Sequence, residues 1–152
     1  MSAAAAAVRT LAVALWVGGM AVLDLIDAPL RFATPAISRN QAVALGQAVF
    51  ARFNRVEMAL GVLALVAASV SRSARWTIIV TALMLALTAV QTFYLTPEIT
   101  RLASGLDFVN RTPGDPKYAV IRSLHGAYTA VEIAVFIGGI AVLAGWAVAG
   151  RP

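Results

Sequence analysis

Four long apolar stretches divide the chain, each bounded by prolines, arginines or a polar turn. A helix that crosses a bilayer needs about 20 mostly apolar residues. The first such stretch runs from about Thr10 to Ala28, where Pro29 disfavours helical backbone in the residue before it. A polar connection containing Pro35 and Ser38 follows. Gln41 to Phe50 has the mixed pattern of an amphipathic helix, lying on the membrane surface or feeding directly into a second span over about Phe50 to Val70. Ser71-Arg72-Ser73-Ala74-Arg75 is a short basic turn. The third span opens at Trp76, a residue type favoured at membrane interfaces, and reaches about Leu95, with Thr96-Pro97 ending or kinking it. The connection from Glu98 to Pro116 contains Pro113-Gly114-Asp115-Pro116, a strong turn signal. The last span covers about residues 118–148 and exceeds a bilayer core, so its first two turns are expected among the headgroups. The pattern predicts an all-α integral membrane protein. It is a four-transmembrane-helix bundle with an amphipathic helical extension before the second span, forming one domain over residues 1–152.

Composition agrees with a lipid-surrounded chain. Of 152 residues, 61% are hydrophobic and 12% charged, against about 45–50% and about 25% in soluble domains. There is no cysteine, which excludes disulfides, zinc–thiolate sites and thiol catalysis. The net charge of +5 includes no basic run, and the arginines sit at span ends, so nucleic acid is not an expected partner. Arg9 and the apolar run Leu11 to Leu23 resemble a signal peptide, but no small-x-small cleavage site follows, and a retained helix is expected. Gly18-Gly19 and Gly138-Gly139 lie in similar ten-residue settings near mid-membrane, where small residues let helices approach closely.

Four spans put both termini on one side with the Arg72/Arg75 turn. That side holds Arg9, Arg72, Arg75 and Arg151 and no acid. The opposite side holds Arg31, Arg39, Arg52, Arg55, Arg101, Arg111, Lys117 and Arg122, with every acid and the single histidine, His125. Positive charge in short loops favours the cytoplasm. Raw counting, eight to four, puts the polar side in the cytoplasm; taking its arginines as partners for its acids leaves the other side with the free charge and favours cytoplasmic termini, so the orientation stays open.

Several ionisable residues fall within spans, where they are costly, normally face the bundle interior and raise a functional hypothesis by default. Asp24 and Asp27 are three apart and share a helix face. Arg52, Asn54, Arg55 and Glu57 start the second span, and Gln91 and Tyr94 lie near the end of the third. Arg122, His125, Tyr128 and Glu132 step by three, three and four along one face of the last helix. Asp24, Glu57, His125, Tyr128 and Glu132 are the candidate ligand, proton or cation site. Asp27, Arg52, Arg55 and Arg122 are the candidate charge-pairing residues. Glu132, between Val131 and the run Ile133 to Phe136, fits either a proton or cation site or a buried salt bridge to Arg52 or Arg55. His125 and Glu132 are the candidate metal ligands, and His125 is also the candidate haem ligand or proton relay. Trp16, Trp76 and Trp146 read as packing or interfacial residues. No phosphate loop, nucleophile elbow or paired-histidine motif is present.

The order of short motifs resembles the transmembrane protein 205-like family, also known as domain of unknown function 4149. The motifs are Trp16-Val17-Gly18-Gly19, Ala28-Pro29-Leu30-Arg31-Phe32, Gly46, Arg52-Phe53-Asn54 with Glu57, Tyr94-Leu95-Thr96-Pro97-Glu98-Ile99, and His125-Gly126 with Tyr128 and Glu132. The resemblance implies a small four-helix protein of a bacterial inner (cytoplasmic) membrane, and handling or export of metal compounds. The family is distantly similar to copper-resistance D membrane domains. This chain departs from copper chemistry, with one histidine, no cysteine and dispersed Met20, Met58 and Met84. Three function classes follow. The first is a non-enzymatic protein that binds or moves a small cation, metal compound or other solute. The second is an assembly subunit whose ionisable cluster locks helix packing. The third is a haem- or quinone-binding membrane component. The lipid bilayer is one expected partner and a second copy of the chain another; the cofactor is left open.

Overall fold

The computed structural model describes residues 3–112 and 114–149, so Pro113 and Arg151 lie outside the described residues. Four helices, each long and apolar enough to cross a membrane, account for most of them: α1 Ala3–Ala33, α2 Arg39–Val70, α3 Arg75–Ala103 and α4 Pro116–Ala149. No strand occurs among the described residues. The protein is an integral membrane protein with an all-helical four-helix bundle. Sequential helices pack as neighbours and α4 returns to α1, closing a four-sided bundle. Leu11, Leu15, Ile79, Leu83 and Ile137 stand exposed around its outside, as lipid-facing residues do because tails are as apolar as they are.

Every helix is longer than its predicted span. Ser38 caps α2, accepting from the Gln41 backbone N–H while the Gln41 side chain accepts from the Ser38 N–H. From there α2 runs unbroken through Gln41 to Phe50, so the amphipathic stretch continues the span instead of lying flat on the membrane. Pro29 and Pro97 do not end their helices. A proline lacks the N–H that bonds four residues back, and its ring collides with that carbonyl. In α1 and α3 the backbone widens just ahead of the proline into one π turn, Leu23–Asp27 and Gln91–Leu95. The Ala28 N–H then donates to the Leu23 carbonyl and the Thr96 N–H to the Gln91 carbonyl.

The core occupies the half of the bundle nearer the termini. Trp16, Met20, Met84 and Val135 form one buried cluster, and Val13, Ala64, Ala68 and Val142 another. Close approach there depends on glycine. A Cβ on Gly19 would sit 2.6 Å from the Phe53 ring, and one on Gly139 would collide with Val17, while Gly18 faces open space. Thus Gly19 of the first pair and both glycines of the second, Gly138 against Met84 at 3.1 Å, meet packed partners where a side chain would intrude. At the terminal end the buried Arg9 reaches across to the α2–α3 turn, donating to Ser71 Oγ at 3.1 Å and to Ser73. Its guanidinium lies 4.6 Å from the Trp146 ring.

At the opposite end the helices spread. Beyond Val22, α1 leans on α2 and no longer packs directly against α4. The long connection to α4 is fastened over this end by Asp107. Its carboxylate accepts from the Asn40 side chain and from the Val109 and Asn110 backbone N–H groups, and Asn40 Oδ1 accepts from the Phe108 N–H. These donors hold the Asp107 carboxyl far below the ordinary aspartate range, Asn40 contributing most.

Candidate functional site

All four helices contribute to one polar layer. From α1, Trp16 Nε1 donates to Glu57 Oε1 of α2 at 3.0 Å. From α3, Gln91 Nε2 donates to Glu132 Oε1 of α4 at 2.9 Å and reaches the Tyr128 carbonyl at 3.4 Å. Tyr128 OH donates to Asn54 Oδ1 at 2.9 Å, and Asn54 Nδ2 donates to Thr96 Oγ1 at 2.8 Å. Asn54, Glu57 and Gln91 are fully buried and Glu132 nearly so. Asp24, inside the first π turn, lines the same cavity as His125 and Glu132 of α4. Two of the three carboxylates therefore share one cavity, and Glu57 Oε2 is buried without a hydrogen-bond partner.

No arginine neutralises this cluster. The ion pairs among the described residues are Arg31–Asp27 and Arg101–Glu98, each within one helix. The expected pairing of Arg52, Arg55 and Arg122 with the acids is corrected by the structure: all three are exposed and make no ion pair there. Helical geometry is the reason. At about 100° per residue, Arg55 lies about 200° and Arg52 about 140° around α2 from Glu57. Asp27 pairs with Arg31 of its own helix, one turn on. Trp16, read as a packing or interfacial residue, packs in the core and is also the hydrogen-bond donor of Glu57. It is seated by Gly61, where a Cβ would stand 3.0 Å from the indole ring. The Trp16–Met20–Asp24 spacing of four was the signal that the indole shares a face with the acid. Trp146 keeps a packing role and also donates to Thr77 Oγ1 at 3.3 Å, while Trp76 is exposed as an interfacial residue is.

The polar layer opens into a cavity of about 750 Å³ in the spread half of the bundle. Asp24, Tyr128 and Glu132 line it, as does the exposed His125, two turns nearer the aqueous end of α4; the buried Glu57 and Gln91 stand behind the wall. Its sides are mainly apolar, with Leu25, Phe32, Val43, Phe50 and Ile133. Phe50 also meets the Tyr128 ring edge-to-face at 5.9 Å. Arg39, Arg111 and Arg122 line it toward the aqueous end, and Arg111 lies over the Tyr118 ring. The size is that of a small-molecule site, about 300–1,000 Å³. Among the described residues no three His, Asp or Glu side chains converge in a way that could hold a metal ion, so His125 and Glu132 belong to no such group.

A family model described as a domain of unknown function, DUF4149, matches residues 11–105. The chain belongs to the DUF4149 family. No curated protein and no solved structure matches it. The DUF4149 match takes in Trp16, Asp24, Asn54, Glu57, Gln91 and Thr96. It stops before α4, which adds His125, Tyr128 and Glu132.

Proposed function

We propose that this DUF4149 protein binds a positively charged solute in its polar-end cavity, as a step in moving or handling that solute at the membrane. The observation that carries this reading is that the Asp24 and Glu132 carboxylates line one cavity, backed by the buried Glu57, with no basic side chain paired to any of them. Like charges gathered in one poorly solvated cavity repel, and a proton or cation among them relieves this. Asp24 and Glu132 meet the charge, Tyr128 and His125 border it, and Gln91, Trp16 and Asn54 hold the carboxyl groups and the tyrosine in place. Carboxylates accept metal complexes as well as organic cations; the absence of a converging ligand trio among the described residues favours a single positive group over a bare metal ion.

Thermal unfolding in mild detergent, repeated with a panel of inorganic and organic cations, tests this. A ligand at a hundred times its Kd stabilises by about 2.7 kcal/mol. The expected result is a rise in Tm with at least one cation, lost in Glu132→Gln while helix content is unchanged.

A second reading has its own support: every hydrogen bond of the polar layer joins two helices. In that reading the cluster locks packing for an assembly role. It predicts that Glu132→Gln lowers Tm with no cation protecting either protein.

A further inference from the structure

The order of charges along the cavity and the position of its side opening point to a narrower ligand class, and this step rests on the cation-binding reading above. We propose that the ligand is a lipophilic organic cation, one positive centre on a bulky apolar body, which enters from the bilayer between α1 and α4. Three observations meet here.

The aqueous approach is positively charged. Arg39, Arg111 and Arg122 line the cavity at that end, and none makes an ion pair among the described residues. Arg122 precedes Glu132 by ten residues on one helix, about 15 Å of rise. Asp115 borders Arg111 and Arg122 there, but the cations outnumber it, so a small hydrated cation coming from water meets this arginine field before it reaches Asp24 or Glu132, and like charge lowers its local concentration.

The side toward lipid is open. Past the first π turn α1 no longer packs directly on α4. Leu25 of α1 and Ile133 of α4 both line the cavity, and they are 73% and 55% exposed. Entry by this route passes apolar side chains and avoids the arginines.

The cavity walls fit an apolar body. Phe32, Val43, Phe50 and Phe136 complete a largely hydrocarbon lining around one acidic spot. Such a site gains by covering apolar surface and by placing a single charge against Asp24 and Glu132. An inorganic cation uses none of that wall.

The test is equilibrium dialysis of radiolabelled tetraphenylphosphonium against the full chain in mild detergent. Tetramethylammonium (same charge, little apolar surface) and triphenylphosphine oxide (similar surface, no charge) serve as competitors. We expect saturable tetraphenylphosphonium binding, weakened at least tenfold in Glu132→Gln and in Asp24→Asn. Neither competitor should displace it at a hundredfold excess. Arg122→Gln should make tetramethylammonium a better competitor, because it thins the arginine field. Competition by tetramethylammonium at concentrations like those of tetraphenylphosphonium overturns the lipophilic class and leaves cation binding standing. Equal competition by the phosphine oxide, with both carboxylate variants binding as before, overturns both. Absence of tetraphenylphosphonium binding overturns the inference, and saturable binding of labelled tetramethylammonium in the same protein then shows whether the broader reading survives. Having two carboxylate variants, each checked for helix content, keeps a misfolded one from deciding the matter.

Discussion

Glu57 is held by a single hydrogen bond. Its Oε1 accepts from Trp16 and its Oε2 has no partner, in a wholly buried side chain. Replacing Trp16 by Phe keeps most of the ring but removes the donor. An unsatisfied buried polar group costs about 1–3 kcal/mol, so Trp16→Phe should lower stability by that order in detergent melts, and Trp16→Phe with Glu57→Leu should recover part of it. At the surface, Asp107 carries a pH dependence whose sign is fixed by its donors. Its folded carboxyl titrates below the unfolded one, so its contribution is present above the ordinary aspartate range and is lost as pH falls toward the lowered value. Acidification should therefore lower the protection of the Val109 and Asn110 amides, measured against the intrinsic exchange rate at each pH, and Asp107→Asn should remove that pH dependence. The residue types of the site were legible: the Arg122–His125–Tyr128–Glu132 steps mark one helix face, and Asp24 and Glu57 are acids at membrane depth. Their partners were not. Which donor meets which acid depends on the rotation of four helices about their axes, and a single sequence does not encode that rotation at the level of an indole finding a carboxylate.

The two π turns decide how the helices serve the site. Asp24 lies within the first, and Gln91 opens the second. Each widened turn lets its helix continue past a proline without leaving the backbone unpaired in lipid, where unpaired groups are most costly. That is also why reading Pro29 as a helix end fell short: proline is a strong stop where water can take over the freed carbonyl, and a weaker one where only the helix itself can. The four spans themselves were legible from their length and apolar character. Their true ends lay several residues further out, because the polar terminal turns look like loop in composition. Packing between elements is tight where α2 meets α1 and α3. A Cβ on Gly61 would stand 2.8 Å from Leu85 Cδ1 and 3.0 Å from Trp16. Overpacking of this kind costs about 1–3 kcal/mol, so Gly61→Ala should lower Tm. Its displacement of the indole should appear as a change in Trp16 fluorescence, read with Trp76 and Trp146 replaced by Phe.

For the whole molecule, the pairing pattern bears on orientation. The expectation of cytoplasmic termini assumed that the arginines of the polar end were occupied by acids. Among the described residues Arg39, Arg52, Arg55, Arg111, Lys117 and Arg122 have no ion pair, against Arg9, Arg72 and Arg75 at the other end. The excess of free positive charge then lies at the polar end, and the positive-inside rule predicts that end to be cytoplasmic. Because the chain has no cysteine, a single introduced one reports its side cleanly. In intact cells Ala74→Cys should react with a membrane-impermeant maleimide, and Ala36→Cys should not. The reverse labelling places the termini in the cytoplasm.

A π turn is what a helix makes of one surplus residue, absorbed locally so that the segments on either side keep their own faces. In α1 this surplus separates the packing face of Trp16 and Met20 from the segment carrying Asp27 and Arg31. Loss of one residue between Leu23 and Asp27 would rotate everything after it by about 100°, swinging Arg31 out of its seat beside Gly46. Kinship within the family should accordingly be traced through indels as well as through substitutions. A relative lacking that residue aligns with a gap in the middle of a hydrophobic span, and such a gap would mark a lineage in which this arginine never came to rest against the second helix.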